Sequence, residues 1–239
     1  MRFFLKQPTT RVYLLLAMLA SATSCMDDRD AGYEKFFLAY GTAERPADGD
    51  LFIVLDDNDT TLFVSESAVP AEFFKDKMRL IVDYSILERA TPDQPFHYNA
   101  RVNQAKEIPT RDIAWETAGD TTGNDPLAVE NYWLARGFLT FKYRVRGRSR
   151  PHDIHLVCRE WQYHLNDKPG EESIVYLDLR HDAFDDPDRE NLTGLISFPL
   201  YKALPEAVDP VKLRISYNDT EKDADKTSIE ITYYPLKQP

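Results

Sequence analysis

Basic residues recur at every second position along one stretch of the chain: Lys142, Arg144, Arg146, Arg148 and Arg150. Side chains two residues apart lie on the same face of a β-strand, so a strand here presents a basic stripe. On an acidic protein such a stripe could bind anionic groups, for example those of an acidic glycan or a lipid headgroup. The structural alternative is an edge strand protected by charge, or one paired with acidic neighbours. The first four residues are the candidate anion-binding set, although Gly147 is expected to interrupt the strand.

A second group of residues that could do chemistry is acidic. The carboxylates follow the predicted strand Val175–Leu179 and comprise Asp182, Asp185, Asp186 and Asp188. Clustered carboxylates can supply the oxygen ligands that Ca²⁺ requires. The spacing does not match an EF-hand loop, and the glycine that makes the sharp turn of that loop is missing. The cluster is therefore a calcium candidate whose structural alternative is a solvated acidic loop.

The histidines give no clear metal or catalytic pattern. His152 and His155 are three residues apart, a spacing that places them on opposite faces of a strand. His97, His164 and His181 are scattered along the chain. No metalloprotease, serine hydrolase or phosphate-loop motif is present in the sequence, and no nucleophile, base and orienting acid can be assembled from sequence positions. We therefore expect no cofactor, no catalytic residues and no enzymatic activity.

Three tryptophans offer a different kind of site: Trp115, Trp133 and Trp161. Exposed aromatic rings could form a platform for a sugar. Core packing in a β-sandwich accounts for most residues of this type, so the structural interpretation is favoured.

The N-terminal residues 1–24 have the parts of an export signal. Basic residues precede the apolar run Val12–Ala22, which is too short to cross a bilayer, since a spanning helix needs about 20 apolar residues. The sequence Ala22-Thr23-Ser24-Cys25 then resembles a bacterial lipobox of the looser kind found in Bacteroidota, with Ala22 where Leu is commonest. Cys25 is thus the predicted lipidation site, and its lipid the predicted contact with the membrane. An ordinary secretory signal is the alternative.

Acylation of Cys25 would leave Cys158 without a disulfide partner in a monomer, and we expect Cys158 to be a buried, inert thiol. The acidic stretch Met26–Asp30 resembles the signal that sends lipoproteins of Bacteroidota to the cell surface. The predicted location is the outer membrane, on the cell surface or the periplasmic face. Removing residues 1–24, which carry three basic and no acidic residues, changes the formal net charge from −11 to −14. So acidic a chain is not expected to bind nucleic acid.

Strand-like patterns fill the rest of the chain in two blocks. Residues 25–47 are predicted to be mostly tether, with room for an early strand. In residues 48–113, a continuous apolar run at 51–55 is followed by alternating segments, and about four or five strands in so short a block favour a small barrel. Residues 114–239 begin with a turn-rich segment and continue with about six alternating strands, which predicts an antiparallel sandwich.

This order of features resembles the NigD-like lipoproteins of Bacteroidota. The C-terminal half contributes Tyr132-Trp133-Leu134 before the strand Leu139–Val145, and the strand Val175–His181 before an acidic loop. After His181 this chain has Asp182-Ala183-Phe184-Asp185, where the family tends to continue with Asn and Ala. The resemblance covers nearly the whole mature chain. It implies an all-β fold, a small OB-like barrel followed by an antiparallel β-sandwich, and no established activity or site residue.

The sequence therefore predicts a cell-envelope lipoprotein that acts as a non-catalytic binding or accessory module, with an unknown protein or glycan partner. Two alternatives stay open. One is a hydrolase of envelope polymers whose carboxylates come from separate strands. The other is a structural or assembly subunit that pairs with a partner through a sheet edge.

Overall fold

A computed structural model of the chain describes residues 35–46, 49–117, 123–148, 150–162, 173–187, 189–204, 210–220 and 227–235. Within these residues the secondary structure is almost entirely β. The strands are β1 (Phe36–Glu44), β2 (Phe52–Leu55), β3 (Thr61–Ser67), β4 (Arg79–Arg89), β5 (Tyr98–Glu107), β6 (Ala114–Trp115), β7 (Ala128–Ala135), β8 (Phe138–Gly147), β9 (Asp153–Gln162), β10 (Ser173–Asp182), β11 (Glu190–Pro199), β12 (Val211–Tyr217) and β13 (Thr227–Tyr233). A 3₁₀ turn at Ala71–Phe73 and a short helix α1 (Leu200–Ala203) complete the described elements.

The first five strands form a closed barrel in the order β1-β2-β3-β5-β4, with β4 pairing back onto β1. The β3–β5 pair is parallel, and the other ladders of the barrel are antiparallel. The alternation predicted for β4 is present, because Leu80 and Val82 are fully buried in the barrel core and Tyr84 is nearly so. The barrel that the sequence predicts is therefore confirmed.

The first barrel strand, β1, lies within residues 25–47, the segment predicted to be mostly tether with room for an early strand. The core side of β1 carries Ala39 and Ala43, which are too small to give a clear apolar alternation. Gly41 lies between them, and a Cβ there would stand 2.9 Å from the carbonyl oxygen of Val54. Close packing against β2 thus requires a small residue at Gly41. The small residues on the core side of β1 weaken the apolar alternation by which a strand is recognised in the sequence.

Two further sheets form the sandwich: a five-stranded sheet, β13-β12-β10-β9-β6, and a three-stranded sheet, β11-β8-β7. Most neighbouring strands are antiparallel, but β10 pairs with β12 and β6 with β9 in parallel. The turn-rich segment that opens the second block also holds β6 and the start of β7. A bulge between Val129 and Asn131 breaks the alternation of β7 and explains why the sequence does not show this strand.

The three-stranded sheet is covered on both faces at the start of β8, whereas Lys142 and Arg144 farther along the strand are partly exposed. Leu139 and Phe141 of β8 belong to the sandwich core. Phe138 and Thr140 alternate with them, are also buried, and face the barrel, where the side chain of Thr140 contacts Arg79. The molecule therefore has the barrel, the three-stranded sheet and the five-stranded sheet as successive layers. This arrangement makes the junction between the barrel and the sandwich a buried part of the fold.

None of the helices in the described part of the chain has the length and apolar character needed to cross a bilayer.

Candidate functional site

The basic stripe predicted from the sequence begins on β8, where its first members contact an acidic residue of the neighbouring strand. Lys142 Nζ lies 3.1 Å from one carboxylate oxygen of Glu130 on β7, and Arg144 Nε lies 3.4 Å from the other. All three side chains are partly exposed, so each contact contributes about 0–1 kcal/mol. This is the pairing that the structural alternative expects. Anion binding by Lys142, Arg144, Arg146 and Arg148 stays a prediction.

The stripe does not continue along one strand, because β8 ends at Gly147. The backbone N–H of Arg148 donates to Oδ2 of Asp186, and the guanidinium of Arg150 donates to the carbonyl oxygen of Phe184. A Cβ on Gly147 would lie 2.5 Å from His152 Nε2 and 2.7 Å from Asp186 Oδ2. The chain therefore turns here, around a buried carboxylate, and the last two basic residues leave the strand.

The acidic candidates for calcium point in different directions. Asp182 Oδ1 accepts the backbone N–H of Phe184 at 2.9 Å, and Asp185 is exposed in a left-handed backbone conformation. The carboxylate of Asp186 is buried against His152, and Asp188 lies outside the described residues. In the part of the chain that the structure describes, no group of three or more His, Cys, Asp or Glu side chains is placed to hold a metal ion.

A buried histidine pair accompanies Asp186, and the sequence did not predict it. The rings of His152 and His181 stack with their centroids 4.9 Å apart and their planes 23° apart. His181 Nδ1 donates to the carbonyl oxygen of Pro126 at 3.0 Å, which leaves its Nε2 as an acceptor for His152 Nδ1 at 2.8 Å. His152 Nε2 lies 3.2 Å from Asp186 Oδ2. These groups form one hydrogen-bonded chain from a backbone carbonyl to a carboxylate.

Burial lowers the pKa of the His181 imidazole below its ordinary value of 6.5, in agreement with the neutral ring that its hydrogen bonds require. The sequence carried one signal for this site. His181 continues the alternation of Leu177 and Leu179 on β10, and all three side chains are buried. The network joins His181, at the end of β10, to Pro126 and His152. Through Asp186 it also reaches the backbone of Arg148. Its position inside the fold indicates a structural role.

A second buried polar network lies at the junction of the barrel and the sandwich. Arg79 of β4 is completely buried and forms a two-pronged ion pair with Asp56, with N–O distances of 2.6 and 2.5 Å. The same guanidinium donates to the hydroxyls of Thr42 in the barrel at 2.9 Å and Thr140 in the sandwich at 3.2 Å. It also lies over the ring of Phe138, 5.5 Å from the centroid. One barrel side chain thus bonds to both domains.

Other side chains strengthen the same junction. Trp133 of β7 donates its indole N–H to Asp56 at 2.7 Å and packs against the ring of Tyr40, with centroids 4.9 Å apart. Arg136 binds Glu44 of β1 at 2.6 Å. Burial raises the pKa of the Glu44 carboxyl, but hydrogen bonds from Arg136 and Lys77 outweigh this effect and leave the pKa below its usual value. The barrel and the sandwich are therefore held in one orientation.

The tryptophans do not assemble a sugar platform among the described side chains. Trp115 of β6 and Trp133 of β7 belong to different sheets, and the side chain of Trp161 lies outside the described part. Cys158 is a buried thiol beside an apolar cavity of about 10 Å³, which it lines with Leu177, Leu200 and Leu213. This volume holds at most about one water molecule and cannot admit a substrate. Cys25 lies outside the described residues.

Aromatic side chains do come together on the outer face of the barrel. Phe52 of β2 and Phe63 of β3 are cross-strand partners with ring centroids 5.5 Å apart. Phe96, from the β4–β5 connection, stacks on Phe63 at 5.1 Å. The backbone of His97 fixes this connection, because its N–H donates to the carbonyl of Thr61 at 2.8 Å. We call Phe52, Phe63 and Phe96 the phenylalanine cluster. The three rings are partly exposed.

Comparisons with known proteins bear on the fold and the family. The family model for a NigD-like N-terminal OB domain matches residues 40–108, and that for a NigD-like C-terminal β-sandwich domain matches residues 112–233. A comparison with curated proteins returned no match.

Three solved structures of similar fold come from species of Bacteroides. A protein of unknown function from Bacteroides vulgatus is 23% identical with a TM-score of 0.64, over 85% of this chain and 92% of its own. A NigD-like immunity protein from Bacteroides caccae is 20% identical with a TM-score of 0.58, over 85% and 100%. A Bacteroides fragilis protein, provisionally described as a lipoprotein, is 12% identical with a TM-score of 0.57, over 85% and 100%. At these identities the likeness concerns the fold.

Proposed function

This chain belongs to the NigD-like family, and from that premise we propose that it is a lipid-anchored, non-catalytic binding or accessory module of the cell envelope. One observation carries the proposal. Buried ionisable groups of the described residues bond to one another and hold segments of the fold together, as Arg79 does with Asp56, His152 with Asp186 and Arg180 with Asp178. Such groups stabilise a rigid two-domain body, whereas a hydrolase needs its carboxylates to face an accessible cleft.

The phenylalanine cluster is the proposed binding face. In OB-type barrels, the face of β2 and β3 with the adjoining β4–β5 loop binds extended polymers. Here that face is aromatic, and the loop is held by paired contacts between Thr61 and His97, whose ring Nδ1 accepts the Thr61 N–H at 2.9 Å. A face fixed in advance loses little entropy on binding. The acidic charge of the chain disfavours nucleic acid, so the proposed partner is an envelope protein or glycan.

The anchor is the second part of the proposal. Cys25 is acylated after removal of residues 1–24, and the acidic residues that follow direct the protein to the outer membrane, at the cell surface rather than the periplasmic face. Metabolic labelling with an alkynyl fatty acid in the native host tests this. We expect label in the wild-type protein and none in Cys25→Ala, which should leave the membrane fraction while keeping its fold. A Cys25→Ala protein that stays membrane-bound would contradict the anchor.

Binding is tested separately with the purified mature protein on glycan arrays and in pull-downs from native outer membrane. We expect a ligand that is retained by the wild type and lost with Phe63→Ser. Phe184→Ser is the matched control, because Phe184 is an exposed phenylalanine of the sandwich domain, at 48% exposure. A ligand retained equally by all three proteins would place the binding face elsewhere. Release of soluble fragments from an envelope polymer would instead establish the hydrolase alternative.

A further inference from the structure

A group of large apolar side chains is exposed at the rim of the barrel where β1 begins and β4 ends. Its members are Phe36, Phe37, Leu38, Ile86 and Leu87, with exposed fractions of 63%, 39%, 77%, 38% and 42%. We call these five residues the apolar rim. Exposed apolar side chains that are grouped rather than scattered mark a surface that contacts a protein or a membrane.

The geometry of the two strands brings the most exposed members to one face. Phe36 and Leu38 are two residues apart on β1 and therefore point the same way. Phe36 lies opposite Ser85 of β4, and Leu87 follows two residues later at the same end of the strand pair, within a bulge of the ladder between β4 and β5. Phe37 points to the other side and stacks on Tyr84, with centroids 5.4 Å apart. This contact supports the rim from the barrel side.

The position of the apolar rim in the chain indicates what covers it. Only ten residues, 26–35, separate Cys25 from Phe36. A segment of that length reaches only about 35 Å even when fully extended. A lipid attached at Cys25 would therefore hold the apolar rim close to the bilayer surface. Such tethering gives a weakly binding surface a high effective concentration of its partner.

We propose that the apolar rim inserts into the interfacial region of the lipid bilayer and orients the protein on the membrane. This inference rests on the lipid anchor of the proposed function. The side chains of Phe36, Leu38 and Leu87 would leave water for the boundary between headgroups and acyl chains. The acidic net charge of the chain offers no attraction to anionic lipid, so the contact is apolar and binds zwitterionic lipid with little dependence on salt. The opposite surfaces of the two domains then face away from the membrane.

The test couples the mature protein through its Cys25 thiol to maleimide lipid in phosphatidylcholine vesicles whose acyl chains carry bromine, a quencher of indole fluorescence. Cys158 is only 3% exposed and does not compete for the maleimide. A fluorescent reporter is introduced as Phe36→Trp, with Phe184→Trp as the matched control. The contribution of the added indole is the difference from the parent protein, which carries three tryptophans of its own.

We expect the added indole of Phe36→Trp to lose on the order of half of its fluorescence in brominated vesicles, as for a side chain at the acyl boundary, and that of Phe184→Trp to lose little. A second reporter, Leu87→Trp, should be quenched in the parent background and lose that quenching when Phe36→Ser and Leu38→Ser are added. Equal quenching of the Phe36→Trp and Phe184→Trp indoles would overturn the inference. Quenching of Leu87→Trp that survives the two serine substitutions would also overturn it.

The result is separable from the anchor itself, because the coupling is chemical. Should the host fail to acylate Cys25, the proposed function fails while the vesicle measurement still reports on the surface. Should the host acylate Cys25 and the vesicles show no selective quenching, the anchor stands and the apolar rim has no membrane role.

Discussion

Arg79 and Asp56 form an ion pair in which both side chains are nearly withdrawn from water, with 0% and 6% of their side-chain surface exposed. Both residues belong to the barrel, yet each also bonds to the sandwich, Arg79 through Thr140 and Asp56 through Trp133. A buried pair is costly to desolvate, and it is maintained only where further hydrogen bonds satisfy its remaining donors and acceptors. The sandwich supplies two such bonds here, through Thr140 and Trp133, so the pair and the junction depend on each other.

Removing one partner of this pair should be strongly destabilising. We expect Arg79→Met to lower the free energy of unfolding by about 3–5 kcal/mol, because Asp56 is left charged and buried. Adding Asp56→Leu should recover part of the loss, although Trp133 then lacks its acceptor at a cost of about 1–3 kcal/mol. Urea unfolding of the wild type, Arg79→Met, Asp56→Leu and the double variant measures the coupling. Arg89→Met, at the exposed end of β4, is the control and should stay within about 0.5 kcal/mol of the wild type.

The His181 site should make stability sensitive to mild acid. In the unfolded chain this ring takes up a proton near its ordinary pKa of 6.5, whereas burial lowers the folded-state pKa. The stabilising contribution is therefore complete above pH 6.5 and is lost as the pH falls through the lowered folded-state pKa. His181→Asn places an amide nitrogen near the position of Nδ1, facing the Pro126 carbonyl, and removes the titrating ring.

Urea unfolding at a series of pH values, from about pH 7.5 down to about pH 5, compares the two proteins. We expect the free energy of unfolding to fall less steeply with acid in His181→Asn than in the wild type, whatever its value at neutral pH. Identical slopes in the two proteins would contradict the assignment of this acid sensitivity to His181.

Gly147 should not tolerate even a methyl group. A Cβ at this position meets His152 Nε2 and Asp186 Oδ2, two atoms that are fixed by the buried histidine network. We expect Gly147→Ala to cost about 1–3 kcal/mol, because the network must move to make room. Arg148→Ala keeps the backbone N–H that Asp186 accepts, and as a control it should stay within about 0.5 kcal/mol. Thermal and urea unfolding would show whether the two variants differ as expected.

Calcium should leave the melting temperature unchanged. The carboxylate of Asp186 faces His152 inside the fold, and Asp182 is bonded to the backbone of its own loop. A ligand at 100 times its dissociation constant stabilises a protein by about 2.7 kcal/mol, which a melting curve resolves easily. A calcium titration with magnesium as the control therefore decides the matter. A rise of several degrees with calcium alone, abolished by Asp185→Asn, would support the predicted site.

The sequence predicted the fold where a strand alternates large apolar and polar residues, as in β4 with Leu80 and Val82. It indicated β1 only as an early strand within a tether, because the core positions of this strand hold the small residues Ala39, Gly41 and Ala43. Arg79 precedes Leu80 and points away from the barrel core, yet it is completely buried against the sandwich. What covers this side of β4 could not be inferred, because docking of two domains leaves no local pattern.

The buried histidine network was hidden for a similar reason. His152 and His181 are 29 residues apart, and Pro126 lies 55 residues before His181. Only the pairing of β9 with β10 and the turn after Gly147 bring them together. The basic and acidic clusters, by contrast, were obvious in the sequence because their members lie close together along the chain. Closeness along the chain does not by itself bring side chains to one point in the fold.

The place of β1 in the barrel has a mechanical consequence. It is the first strand of the barrel and is hydrogen-bonded to β2 on one side and β4 on the other. With the chain held by lipid at Cys25, as proposed, tension between the membrane and a bound partner enters the fold along the axis of this strand. Ladder hydrogen bonds in antiparallel sheets lie across the strands, so a pull along β1 loads many of them in shear at once instead of unzipping them singly. With the proposed tether, the barrel would therefore resist tension applied along β1.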